Sequence, residues 1–299
     1  MQGVYAAAVT PRRLGTQDIN LGAMWDLIDY LVAHGTQGIV LMGATGEFVH
    51  FSNAERMRLM GVAAKRSRVP VVFNCSHSTF DGSVELAQAA DASGAAAVLM
   101  MPPHFFRYTQ AQLAGFYRQV AEAAELRIPL LLYNIPQFTT EIALETASDL
   151  LREGTVQGIK DSSGEAPYFE GLQAVRQQIP FTLMLGNDSL AVPARTGGCD
   201  GIISGCACAV PELLIALDRA VITGVQEVVT RLELRLRQFI HWADKLPTPM
   251  AVKEATALRG FKLGPHSLTC DPSLQRDVDA FREWFNGWLP AMLSDCKHV

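Results

Sequence analysis

Short apolar runs alternate along the whole chain with longer stretches in which apolar residues recur every three or four positions. The runs Gly3–Val9, Gly38–Met42, Val69–Phe73, Ala96–Met101, Ile128–Tyr133, Val156–Lys160, Phe181–Leu185 and Gly201–Ile203 predict strands. Most are apolar without interruption, which implies burial on both faces and therefore a parallel sheet. The stretches between them read as helices. Leu21–His34 places Leu21, Trp25, Ile28, Leu31 and Val32 on one side and stops at Gly35. Ser52-Asn53-Ala54-Glu55 is a capping-box signature opening a helix through Arg66, and Thr109 predicts the cap of a helix reaching Leu126. Further helices are predicted over Asp81–Ser93, Ala143–Leu151, Glu165–Gln178 and Pro211–Ile222, with Asp188 capping a short one after the seventh strand.

Eight strand–helix units of about 25–30 residues predict a closed (β/α)8 TIM barrel over residues 1–224. A doubly wound open sheet is the runner-up, disfavoured because no Gly-x-Gly-x-x-Gly turn follows the first strand. Three more helices, Val225–Ala243, Pro249–Arg259 and Ser273–Leu289, predict a C-terminal helical extension over residues 225–299.

Composition narrows the functional classes. The chain has 299 residues, 49% apolar and 18% charged, enough for a barrel-sized core. A net charge of -5 with scattered Lys and Arg argues against a nucleic-acid partner. No apolar run reaches the length of a membrane span, and the first ten residues do not read as a signal peptide. The six cysteines form no C-x-x-C pair, so free thiols in a cytoplasmic protein are expected. His50, His77 and His104 follow strand ends at spacings that fit no metal motif, so no metal is expected.

In a barrel of this kind the chemistry lies at the C-terminal ends of the strands. Those ends carry Thr10, Gly43-Ala44-Thr45-Gly46-Glu47, Asn74, Pro102-Pro103, Tyr133-Asn134, Lys160-Asp161, Gly186-Asn187-Asp188 and Ser204-Gly205. A lone lysine at a strand end is most often a solvated terminus. Ringed by hydroxyls, amides and glycines, Lys160 reads instead as an amine whose desolvation favours its neutral, nucleophilic form. Tyr133 ends the preceding strand and should be its neighbour, as an aromatic plug or as a proton shuttle. The turn at residues 43–46 offers amides and a hydroxyl to an anion, and a carboxylate is the better fit because the Walker lysine is missing. Glu47 and Asp161 read as structural hydrogen-bonding residues, and Met100 and Met101 as core.

These motifs, in this order and at this spacing, resemble the dihydrodipicolinate synthase / N-acetylneuraminate lyase family along nearly the whole chain. The residues carrying the resemblance are Gly43-Ala44-Thr45-Gly46-Glu47, Tyr133-Asn134-Ile135-Pro136, Gly158-Ile159-Lys160-Asp161, Gly186-Asn187-Asp188 and Gly201-Ile202-Ile203-Ser204-Gly205. The resemblance implies a Schiff base between Lys160 and pyruvate or another 2-oxo acid, without metal or organic cofactor. It implies Tyr133 as general acid/base, and Thr45 with the Ala44 and Thr45 amides as the carboxylate site. Gly186 and Ile203 would line the same pocket. A homotetramer, as a dimer of dimers, is the expected assembly.

Three positions depart from the synthase pattern. Ala44 replaces the first threonine of the glycine-rich turn, and also breaks the Ser-Thr pattern of the sialic acid lyases. Phe105 stands where the synthases carry a tyrosine that relays protons across a subunit interface. Phe138 stands where they carry an arginine for the second substrate's carboxylate. The expected activity is therefore an aldolase acting on a 2-keto-3-deoxy sugar acid or another hydroxy-oxo acid, with His104, Phe105, Phe106, Gln137, Phe138 and Thr139 shaping a distal pocket. The alternatives are a dehydratase or deaminase, or a synthase-like condensation, on the same imine. From another class, a non-catalytic 2-oxo-acid-binding protein is the alternative.

Overall fold

The structure, a computed structural model, describes residues 1–297. Eight parallel strands close a barrel in sequence order, with β8 paired to β1. They are β1 (Gly3–Ala7), β2 (Gly38–Leu41), β3 (Val71–Asn74), β4 (Ala97–Met100), β5 (Leu130–Asn134), β6 (Gly158–Asp161), β7 (Thr182–Leu185) and β8 (Gly201–Ser204). Apart from Gly3 and Thr182, every strand residue is buried, as a sheet covered on both faces requires.

Between the strands run α1 (Leu21–Ala33), α2 (Asn53–Arg66), α3 (Phe80–Ser93), α4 (Gln110–Ala124), α5 (Leu144–Arg152), α6 (Ala166–Arg176) and α7 (Ala191–Thr196). After β8 come a single turn, α8 (Cys206–Ala209), which the pattern does not predict, and α9 (Pro211–Thr223). The fold is a (β/α)8 TIM barrel. Beyond it lie α10 (Gln226–Ala243), α11 (Met250–Leu258) and α12 (Pro272–Cys296), the last running seven residues past its predicted end at Leu289.

Local chemistry explains where helices begin, and in two places differs from the sequence reading. Ser52 caps α2 by accepting from the Glu55 amide, but the Glu55 carboxylate turns away to the Ile19 amide, 3.1 Å distant. The reciprocal capping box is at α4, where Thr109 and Gln112 satisfy each other's backbone. After β7, Asn187 rather than Asp188 is the cap, accepting from the Ser189 amide. Asp188 is thereby released toward the barrel mouth.

The last three helices pack across the barrel rather than trailing from it. Phe239 of α10 meets Phe281, Phe285 and Trp288 of α12 in an apolar seam, each nearly or fully buried. This seam brings α11 over the strand ends that carry the glycine-rich turn. Among the described residues, no helix is long and apolar enough to cross a membrane.

Candidate active site

β5 and β6 pair with Tyr133 opposite Lys160 and Asn134 opposite Asp161. Alternation along each strand sends the members of a pair to the same side. Asp161 is fully buried and accepts from Asn134 Nδ2 at 2.8 Å, from Ser163 Oγ at 2.9 Å and from the Ser163 amide at 3.2 Å. Burial raises its carboxyl above the usual range, partly offset by these bonds. Asn134 Oδ1 accepts the Ile142 amide, so both strand ends are locked. On the partner face, Lys160 is 5% exposed, and its Nζ lies over the Tyr133 ring, 4.1 Å from the centroid.

Room for that lysine depends on Gly186 at the end of β7. A Cβ there would sit 2.4 Å from Lys160 Cε and 2.0 Å from Ser162 Oγ. The Ser162 hydroxyl is buried without a hydrogen-bond partner and faces the same cavity.

The glycine-rich turn is held from three sides. Thr10 Oγ1 donates to the Gly46 carbonyl at 2.7 Å, and Asn74 Nδ2 to the Met42 carbonyl at 2.7 Å. Met42 and Glu47, flanking the turn, both have left-handed backbones, with φ of 57° and 54°. Such conformations in non-glycine residues persist only where the surroundings over-determine them. The third hold comes from α11: Lys253 Nζ donates to Glu47 Oε2 at 3.0 Å and to the Pro265 carbonyl at 2.9 Å. Ser267 also donates to Glu47, and Arg12, stacked on Phe51, donates to Ser267 Oγ at 2.9 Å. Burial alone would raise the Glu47 carboxyl, but Lys253, Ser267 and Arg12 outweigh it and hold it below the usual range. Burial in turn pulls Lys253 below the usual lysine value despite Glu47. Inside this frame, among the described residues, the Ala44 and Thr45 amides donate to no backbone carbonyl. Thr45 Oγ1 packs against Gly205, where a Cβ would approach to 3.1 Å.

Lys160, Tyr133, Ala44, Thr45, Gly186 and Ile203 line one cavity of about 340 Å³. Phe138 and Gln137 close part of its rim. Asp188, placed by the sequence among the strand ends but read as a helix cap, belongs to this cavity, and two further features of it escaped the sequence reading. Asp188 lies on its wall; burial raises its carboxyl, opposed by Ser204, Cys206 and the Lys160 charge. Asp244 and the segment Leu246–Pro249 also face it, so α10 and the loop to α11 form part of the site. Only the through-space return of the last helices brings these residues there. Among the described residues, no three His, Cys, Asp or Glu side chains are grouped as a metal site.

Residues 1–276 match a family model, "Dihydrodipicolinate synthetase family". The chain belongs to this family. Its members are enzymes of the class I aldolase/lyase kind. A 4-hydroxy-tetrahydrodipicolinate synthase from Methanococcoides burtonii is 30% identical over 267 residues, 88% of this chain and 90% of the relative. Another from Macrococcus caseolyticus is 28% identical, covering 95% of each chain. Among solved structures, YagE, a prophage protein of this family from E. coli in complex with pyruvate, superposes with a TM-score of 0.87 at 23% identity, over 96% of this chain and 98% of that one. At that identity the likeness concerns the fold.

A second cavity, of about 330 Å³, adjoins the first and shares Ala44, Phe138, Thr248 and Pro249 with it. Its other walls include Phe48, Val49, Met101, His104 and Phe105. Met101, read from sequence as core, is buried yet forms part of this wall. Phe105 is 87% exposed and sits at φ 91°, a left-handed backbone that side-chain-bearing residues rarely adopt. Of the remaining residues expected to shape a distal pocket, two do not reach either cavity. Phe106 points to solvent with its ring edge against Phe105, and Thr139 is buried, donating to the Ile135 carbonyl.

Proposed function

We propose that the protein is a lysine-dependent aldolase that cleaves or forms a hydroxy-oxo acid, a 2-keto-3-deoxy sugar acid or a related 2-oxo acid, to or from pyruvate and an aldehyde. The observation that carries this reading is the Lys160–Tyr133 pair, amine over ring at 4.1 Å, in a cavity that also holds the turn with free amides. In this reading the Ala44 and Thr45 amides and the Thr45 hydroxyl hold the substrate carboxylate. Lys160 Nζ adds to the 2-oxo carbon, water leaves, and an iminium forms. Tyr133, having given its proton to the departing water, takes one back from the C4 hydroxyl as the C3–C4 bond breaks. The bonding pair moves toward the iminium nitrogen to form an enamine, and the aldehyde departs. Protonation at C3 and attack by water then release pyruvate and restore the amine. Gly186 and Ile203 contribute the close walls that leave room for the imine.

Phe138 and Phe105 support an activity other than condensation with aspartate semialdehyde, since neither supplies the charge or hydroxyl expected of that reaction. Phe105 also bears on assembly. Phe105 and Phe106, exposed and edge-to-face at 4.9 Å, support a contact with a second copy within a homotetramer.

Incubation with pyruvate and borohydride tests the proposal. A reduced pyruvate adduct is expected on Lys160, located by peptide mass, with pyruvate release from a panel of 2-oxo acids. No adduct, or one at another lysine, overturns it.

A further inference from the structure

Resting on the aldolase reading above, and narrowing it from the sugar acids to the other hydroxy-oxo acids, we infer that the second cavity receives the substituent on carbon 4 of the substrate, and that this substituent is apolar, an aryl or branched alkyl group, rather than a polyol or a carboxylate-bearing chain.

Three observations carry this. First, the cavity opens onto the lysine cavity through shared walls. Ala44 and Phe138 line both, so a group attached to a carbon bound near Lys160 meets the second cavity across a methyl and a phenyl ring. A side chain larger than Ala44 would stand between them. Second, its lining is dominated by Phe48, Val49, Met101, Phe105, Phe138 and Pro249, which offer no hydrogen bonds to a sugar chain. Asp188, Ser189 and Asp244 line the lysine cavity and not this one; the hydroxyl- and carboxylate-bearing residues of the second cavity are Thr248, shared between the two, and Glu47. Third, the few polar groups present do not suit an anion. Among the described residues, no lysine or arginine lines the cavity. The nearby Arg56 is committed to the carbonyls of Asn74 and Ser76, at 2.9 and 3.1 Å. Glu47 is negative and engaged by Lys253 and Ser267.

The other polar groups are the exposed His50, the Thr248 hydroxyl and His104. His104 Nδ1 is buried without a hydrogen-bond partner, and the ring packs edge-on against Phe48. Burial, then His77 and Arg56, lower its pKa, so at neutral pH it is an uncharged imidazole. It provides one hydrogen bond and no charge. A single hydroxyl or carbonyl on an otherwise apolar group matches it; a chain of hydroxyls leaves most of them unpaired, at a cost for each.

The test runs the enzyme in the condensation direction with pyruvate and three aldehydes, reading products by mass. These are benzaldehyde, glyceraldehyde and succinic semialdehyde. Benzaldehyde is expected to show a kcat/KM at least ten-fold above the other two. Phe138→Arg is expected to lower the benzaldehyde value at least ten-fold and to raise that for succinic semialdehyde. Val49→Arg, at the exposed edge of the same cavity, repeats the test should the Phe138 variant fail to form the pyruvate adduct. Preference for glyceraldehyde or succinic semialdehyde in the wild type overturns the inference, as does an unchanged order in an adduct-forming variant. The borohydride adduct is measured alongside. An adduct with the wrong aldehyde order overturns only this assignment, whereas no adduct removes the aldolase reading and the assignment with it.

Discussion

The two halves of the barrel mouth are built on different terms. On the inner side, around β5, β6 and the glycine-rich turn, the polar atoms of the framework are committed, and those left free, the turn amides and the Ser162 hydroxyl, belong to residues lining the cavity. Asp161 bridges Asn134 and Ser163, Thr10 and Asn74 hold the turn's carbonyls, and Lys253 and Ser267 grip Glu47. On the outer side the walls are loop aromatics: Phe105, Phe106 and Phe138 are 87%, 66% and 54% exposed, and His104 leaves a ring nitrogen unpaired. In the proposed function the difference separates reaction from selection. A nucleophile and its acid/base partner must be held to within a fraction of an ångström, which buried strands and saturated hydrogen bonds achieve. Recognition of a variable substituent needs only shape and polarity, which loops can change without disturbing the strands.

That contrast can be broken by substitutions. The largest effect is expected for Lys160→Ala: no turnover above background and no borohydride adduct, with a circular-dichroism spectrum like that of the wild type. Residual catalysis at more than a small fraction of wild type would show that the inner half does not depend on this amine.

Lys253→Met should destabilise the protein by about 3–5 kcal/mol in denaturant titration, because Glu47 would be left buried without its cation. The same region sets the acid limit. Glu47 and Glu254, the latter pulled down against burial by His266 and Arg282, are both held below the usual carboxylate range in the folded protein. Groups with depressed folded values contribute stability that is full above the unfolded value of about 4.3 and is lost as pH falls through the folded value. Wild type should therefore lose stability below about pH 4.3, and Lys253→Met should show a shallower loss. An equally steep acid limb in the variant would detach Glu47 from it.

Tyr133→Phe is expected to lower kcat by roughly 100-fold or more while still allowing the pyruvate adduct, since the ring under Lys160 remains and only the proton carrier goes. A near-normal rate would remove the phenol from the mechanism. The smallest effect is expected at the rim. Phe106→Ser, in neither cavity, should change kcat/KM less than about two-fold, its effect falling on the contact between copies and read as weaker association. A larger change would mean that the exposed half is as tightly coupled as the buried one.

Much of the inner half was legible along the chain, because strand ends and their turns are local. The apolar runs located the strands, and the pairing of β5 with β6 follows from sequential barrel closure. Asp188 was misread because capping preferences do not distinguish Asn187 from its neighbour; the turn geometry does. The outer half was less legible. Phe106 and Thr139 adjoin residues that do reach the cavities, and adjacency in sequence does not say which way a loop residue turns.

The order of apolar and polar positions determined the barrel, its closure and the set of polar residues at one end, since burial on both faces leaves a short strand no other stable place. Tertiary structure alone decided that α11 returns to clamp Glu47 through Lys253, 206 residues away in sequence. It alone brought Asp244 and Pro249 to the cavity wall and placed the Ala44 methyl between two cavities. Contacts at such separations depend on how helices pack over the barrel, and no local pattern of residues specifies that packing.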